Sequence, residues 1–169
     1  MKVIVHNRKN KDINNCTKVI YRARAIIINS NNELLLGHMD NTYQFPGGHA
    51  NDSESIENCL VREIMEETGI DIRGKYTNPF CVVKNYEENN LDKNSYSEFY
   101  YFEIHTDEKY DLSRTNYDEY ERGCNYTLKY MNINDVINML NKDINLNRIN
   151  KIVYPDMIAV LNEYVKNKM

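Results

Sequence analysis

One stretch constrains this chain more than any other: GGHANDSESIENCLVREIMEETGI, residues 47–70. Two glycines follow a proline, and the stretch ends in a helical pattern carrying Glu63, Glu66 and Glu67, with Arg62 as its one Lys or Arg. Residues three and four apart are neighbours on a helix, so Glu63 meets both Glu66 and Glu67. Each like-charged pair costs roughly 0.2–0.5 kcal/mol on an exposed helix. Two readings explain why the cost is accepted. One is a solvated acidic face. The other is a bound cation, for which carboxylate oxygens are hard ligands that suit Mg²⁺ or Mn²⁺ better than zinc.

The rest of the chain bounds the setting. Its 169 residues predict a single domain spanning 1–169, large enough for a real core. A net charge of −4 argues against a basic face for duplex nucleic acid. No run approaches the roughly 18 apolar residues of a membrane span, and MKVIVHNRKNKD carries too short an apolar run for a signal peptide. Cys16, Cys59, Cys81 and Cys124 are far apart, without zinc-type pairing, which fits a reducing cytoplasm.

The pattern along the chain predicts alternating strands and helices. TKVIYRARAIIINS (17–30) and ELLLGHM (33–39) read as paired strands, and TYQFPGG (42–48) as an extended piece ending in a tight turn. The helix is expected from about Ser55 to Thr68, capped by Asn51, Asp52, Ser53 or Ser55 and stopped by Gly69. Leu60, Val61, Ile64 and Met65 make its apolar face, expected roughly opposite the glutamates. Strands follow at 72–86, 95–106 and 126–133, the first two joined by EENNLDKN. A short helix over 133–140 starts near Asn134 or Asp135, and a terminal helix runs from 154, with Pro155 in its first turn. Strands on both sides of a central helix predict an α+β chain with a mixed sheet covered on both faces.

Gly48, Glu54, Arg62, Glu63, Ile64, Glu66, Glu67, Gly69 and Ile70 fill every defined position of the Nudix box, G-x5-E-x7-R-E-U-x-E-E-x-G-U, where U is aliphatic. YRARAIIINSNNELLLGHM followed by YQFPGG also resembles the segment that precedes the box in that superfamily. The chain is thus similar to MutT-like Nudix hydrolases from about residue 18 to 105, and beyond that in element order only. The resemblance implies an α/β/α sandwich and Mg²⁺-dependent hydrolysis of a nucleoside diphosphate linked to another moiety, with Mn²⁺ able to substitute. It implies that Glu63, Glu66, Glu67 and the Gly47 carbonyl hold the metal and that Arg62 pairs with Glu54 to shape the element. It further implies a carboxylate general base, for which Glu63, Glu66 and the later-loop glutamates Glu119 and Glu121 are the candidates.

Outside the box, substrate identity is less marked. Arg22 and Arg24 alternate on one strand face and are candidate phosphate contacts. Many relatives carry Arg after the second strand, where this chain has His38 and Met39. Tyr43 stands where Trp is usual, and Tyr86, 16 residues past the box, resembles the tyrosine of diadenosine-polyphosphate hydrolases. Both are candidate base contacts. Pro79 falls too early for the ADP-ribose hydrolase pattern. Nucleoside triphosphates and dinucleoside polyphosphates lead as small-molecule substrates, a homodimer is compatible, and a nucleotide-sensing Nudix module without turnover is the alternative function.

Overall fold

The computed structural model describes residues 1–7, 9–86 and 94–168. Among them one sheet contains β1 (Lys2–His6), β2 (Lys18–Ile28), β3 (Glu33–Met39), β4 (Thr42–Gln44), β5 (Gly47–His49), β6 (Cys81–Asn85), β7 (Ser95–His105) and β8 (Thr127–Asn132). The helices are α1 (Ile56–Thr68), α2 (Glu119–Gly123), α3 (Ile133–Asp143) and α4 (Asn150–Lys166). Strand order is β1-β6-β7-β2-β3-β4, with β5 also on β2 and β8 on β3.

β2 is the spine. It runs parallel to β7 from Lys18↔Ser95 to Ile28↔His105, and antiparallel to β5 through Arg22–Arg24. Its Ala-Ile-Ile-Ile end is buried on both faces. Ile26 and Ile28 join Leu36, Val136 and Leu161 on the α3/α4 side, while Ala25 and Ile27 join Leu60 and Ile64 on the α1 side. An unbroken apolar run is what a strand covered on both faces requires. The result is the expected α/β/α sandwich on a mixed sheet, within the α+β class. Among the described residues no helix is long and apolar enough to cross a membrane.

Several expectations are corrected. The predicted strand at 72–86 is a strand only at Cys81–Asn85. Gly74, at φ 73°, turns the chain, and Tyr76 makes only an isolated bridge to Ile104. Residues 87–93 of the expected loop EENNLDKN lie outside the described residues. The terminal helix begins at Asn150, not Tyr154, so Pro155 lies inside it rather than in its first turn. Asn147 Oδ1 accepts from Asn150 N at 2.7 Å, and the buried Asn150 Oδ1 accepts from Thr42 Oγ1 at 2.7 Å. These side-chain bonds support the extra turn ahead of the proline. β1 and α2 are additional elements. β1 pairs parallel with β6 at one end of the sheet order.

Candidate active site

α1 is fixed at both ends by its own sequence. Ser55 Oγ accepts from Asn58 N at 3.2 Å, and Gly69 stops the helix at φ 71°. Of the four candidate caps, Ser55 is the one used. The expected apolar face is only partly right: Leu60 and Ile64 are buried, Val61 and Met65 are half-buried, and Glu67 itself is buried. Glu67 lies seven residues after Leu60, close to two full turns, so it extends the apolar stripe instead of opposing it. Glu66 keeps a side-chain exposure of 33%.

Arg62 organises the carboxylates. Its Nε donates to Glu54 Oε1 and its Nη2 to Glu54 Oε2, both at 2.9 Å. Nη1 spans Glu63 Oε1 at 2.7 Å and Glu66 Oε2 at 3.0 Å, and Nη2 also donates to the His49 carbonyl at 2.9 Å. Glu54 Oε2 in turn accepts from Asn51 N at 2.8 Å, closing the loop ahead of the helix. The Arg62 hydrogen bond outweighs burial and holds the Glu54 carboxyl below its usual range.

Gly48 lets α1 approach β5. A Cβ built on it would stand 2.4 Å from Glu63 Cδ. Burial pushes the Glu63 carboxyl up despite Arg62 beside it. Glu67 goes further: burial raises it to about 8 against the opposing pull of Arg24 and the Gly47 N–H. Its Oε2 accepts from Gly47 N at 2.7 Å and from the Tyr126 hydroxyl at 3.1 Å. Arg24 Nη1 donates to the Phe45 carbonyl at 2.8 Å and also to the Gly47 carbonyl.

Two hollows open here. A cleft of about 400 Å³ is lined by Met39, Gly47, Gly48, Glu63, Glu67 and Glu121. A slot of about 160 Å³ lies between β7 and α4, lined by Phe99, Tyr101, Ile152, Val153 and Met157, with Asn85 and Asp156 as its polar groups. Arg22, Arg24 and Gln44 line both. The Arg22 guanidinium lies 5.2 Å from the centre of the Phe99 ring. Asp156 Oδ2 accepts from Asn85 Nδ2 at 2.8 Å, and its Oδ1 is bonded to His6 Nδ1.

The donor set suits a hard divalent cation. The half-buried Glu63 and the buried Glu67 present carboxylates that burial pushes up, so a cation at the cleft would favour their charged form. Among the described residues, no three carboxylate, thiol or imidazole groups already converge on one point, because Glu63 and Glu66 are turned onto Arg62. A cation there competes with the guanidinium for the same oxygens.

The expected site residues separate into two groups. Gly47, Arg24, Glu63 and Glu67 line the cleft, with Arg62, Glu54 and Glu66 bound to one another beside it. Of the later-loop glutamates Glu121 lines the cleft and Glu119 does not. Tyr43 and Tyr86 line neither hollow. The Tyr43 ring packs on His38, centroids 4.5 Å apart, and the buried Tyr86 ring stacks on Tyr96 at 4.7 Å. Neither of these candidate base contacts is among the residues lining the two hollows, and each ring packs on a neighbouring ring. Phe99, Asn85, Asp156 and Tyr126 are contributions that the sequence did not disclose. Only Tyr126 had a readable signal, since a glutamate in an apolar stripe needs a buried donor.

The NUDIX domain family model matches residues 20–152. The chain is 34% identical over 61 residues to an 8-oxo-dGTP diphosphatase of Proteus vulgaris, 32% of this chain and 54% of that one. It is 41% identical over 59 residues to the 8-oxo-dGTP diphosphatase of Escherichia coli K12, 31% of this chain and 46% of that one. It thus spans about half the length of these curated relatives. A solved Ap4A hydrolase of C. elegans shares the fold, with a TM-score of 0.55 at 18% identity over 89% of this chain and 99% of that one. A complete box on a clamped helix, in this sandwich and under a model covering most of the chain, places the protein in the NUDIX domain family.

Proposed function

We propose that this protein is a Mg²⁺-dependent pyrophosphohydrolase acting on a nucleoside diphosphate linked to another moiety, with a guanine-type nucleoside triphosphate as the preferred substrate. The observation that carries this reading is the shared wall of the two hollows: Arg22, Arg24 and Gln44 border both the carboxylate cleft and the slot. Such a wall suits a phosphate chain that runs from one to the other.

Glu63, Glu66, Glu67 and the Gly47 carbonyl would hold the metal. When bound, Mg²⁺ neutralises phosphate charge and lowers the pKa of a coordinated water. Arg22 and Arg24 offset the remaining phosphate charge and orient the chain. Glu63 accepts the proton of the attacking water. It lines the cleft, and burial pushes its carboxyl up, which suits a proton acceptor.

The slot fits a flat base. Phe99 offers a ring face, and Ile152, Val153 and Met157 offer aliphatic walls. A carboxylate such as that of Asp156 offers hydrogen-bond acceptors. A guanine-type edge presents N1–H and a 2-amino group to it, whereas adenine turns an unprotonated N1 toward the same carboxylate. The names of the bacterial relatives agree with a guanine-type substrate. The four free cysteines fit the cytoplasm as the setting.

The test is release of nucleoside monophosphate from a panel of guanine and adenine nucleoside triphosphates, 8-oxo-dGTP and dinucleoside polyphosphates, with and without Mg²⁺. Expected is Mg²⁺-dependent turnover that favours guanine-type triphosphates and falls by orders of magnitude in Glu66→Gln. Nucleotide binding without turnover anywhere in the panel would make the protein a sensor instead.

A further inference from the structure

We infer that Tyr126 is a positioning residue for the carboxylate of Glu67, and that Gly37 is the space that admits it. This rests on the proposal that Glu67 holds the metal.

Tyr126 is 6% exposed and precedes β8. Its hydroxyl and the Gly47 N–H both meet Oε2 of Glu67. Two donors on one oxygen fix the rotation of the carboxylate plane and leave Oε1 as the oxygen to face a cation. Gly37 lies beneath the phenol, on β3 opposite Leu128 of β8. A Cβ there would come within 2.1 Å of the Tyr126 hydroxyl oxygen and 2.5 Å of its Cζ. Any other residue at 37 therefore drives the phenol off Glu67. The ring is flanked by Tyr117, centroids 5.2 Å apart, and the Tyr126 N–H donates to the Glu121 carbonyl at 3.1 Å. One residue thus ties the α2 segment to the orientation of a buried carboxylate on α1.

The arrangement is more specific than core filling. A phenylalanine fills the same volume and removes only the donor, so packing predicts no change in metal affinity for Tyr126→Phe. Positioning predicts a loss of about tenfold, the usual cost of removing an outer hydrogen bond to a metal ligand.

The experiment measures Mn²⁺ binding by electron paramagnetic resonance, without substrate, for wild type, Tyr126→Phe, Gly37→Ala and Glu67→Gln, with melting temperatures of the metal-free proteins alongside. Expected are Mn²⁺ dissociation constants raised about tenfold in Tyr126→Phe and Gly37→Ala, and more in Glu67→Gln. Mn²⁺ binding within twofold of wild type in Tyr126→Phe, while Glu67→Gln binds weakly, overturns the positioning role alone. Unchanged binding in Glu67→Gln overturns the metal assignment of Glu67 itself, and the inference with it. If Tyr126→Phe does not fold, Gly37→Ala decides by the same criterion, because it retains the phenol and displaces it.

Discussion

Replacing Glu54 with Gln isolates what the clamp on Arg62 contributes. The carboxylate takes two parallel guanidinium hydrogen bonds at 2.9 Å and a third from Asn51 N at 2.8 Å. Gln keeps one acceptor, removes the charge and turns an amide N–H₂ toward a group that only donates. An exposed pair contributes about 0–1 kcal/mol, and breaking a buried one costs about 3–5 kcal/mol. Side-chain exposures of 28% for Arg62 and 14% for Glu54 place this pair between the two. The expected loss is about 2 kcal/mol, or roughly 4–8 °C in melting temperature for a chain of this size. The loss also has a direction. An Arg62 released from Glu54 settles more fully on Glu63 and Glu66, so a divalent cation meets a stronger competitor. Urea unfolding at pH 7, with and without Mg²⁺, measures both effects, and a cycle with Arg62→Met isolates the coupling. A Glu54→Gln loss below about 0.5 kcal/mol, with Mg²⁺ affinity unchanged, would reduce the clamp to an ordinary surface ion pair.

Three further outcomes are expected. Mg²⁺ at about 100 times its Kd should stabilise the fold by roughly 2.7 kcal/mol, and Glu63→Gln/Glu67→Gln should abolish most of that gain; a Tm response equal to wild type in the double variant would put the ion elsewhere. Burial pushes Glu98 up, but hydrogen bonds from Lys84, Tyr100 and Tyr96 prevail and hold it below 4.5; its stabilisation is therefore complete above that value and is lost as pH falls through its lower folded value. Glu98→Gln should then cost stability at pH 7 and flatten the fall below about pH 4.5, and urea midpoints that track wild type from pH 3 to 7 would contradict this. Asp156→Asn should lower kcat/KM for a guanine-type triphosphate by at least tenfold, about 1.4 kcal/mol, while adenine substrates change little; melting temperature is followed alongside because Asp156 also holds Asn85 and His6, and an equal loss for both bases would count against base reading.

What could be read from the sequence tracks how locally each part is built. The α1 boundaries were legible because Ser55 and Gly69 act on their own helix. The clamp was legible because Glu54 and Arg62 are eight residues apart and share that helix and its entry loop. Glu67 is buried because its seven-residue offset from Leu60 puts it in the apolar stripe, whereas its charge alone points to a solvated face. The early start of α4 was hidden because Pro155 is a familiar first-turn residue, whereas the turn ahead of it depends on Thr42, far along the chain. The positions of Tyr86 and Tyr43 outside both hollows are hidden for a similar reason. Strand position says that an aromatic ring must pack, but not on which neighbour.

The slot shows why substrate choice is harder to read than reaction class. Its walls come from β2, β4, β6, β7 and α4, so its shape depends on a register that joins Arg22 to Phe99 and on α4 lying across them. The carboxylate frame, by contrast, is largely cross-linked between residues 47 and 67. Substitutions at Phe99, Asp156 or Met157 can therefore reshape the slot without touching a bond of the clamp. Arg22 and Arg24 are the exception, because they border both hollows. Arg24 also holds the carbonyls of Phe45 and Gly47, so changing it disturbs the turn that brings Gly48 against Glu63. Arg22 lies over the Phe99 ring on the slot side, 5.2 Å from its centre. Under the proposed function, charge at the shared wall would serve any phosphate chain, whereas the buried carboxylate of Asp156 would discriminate only among bases that reach it.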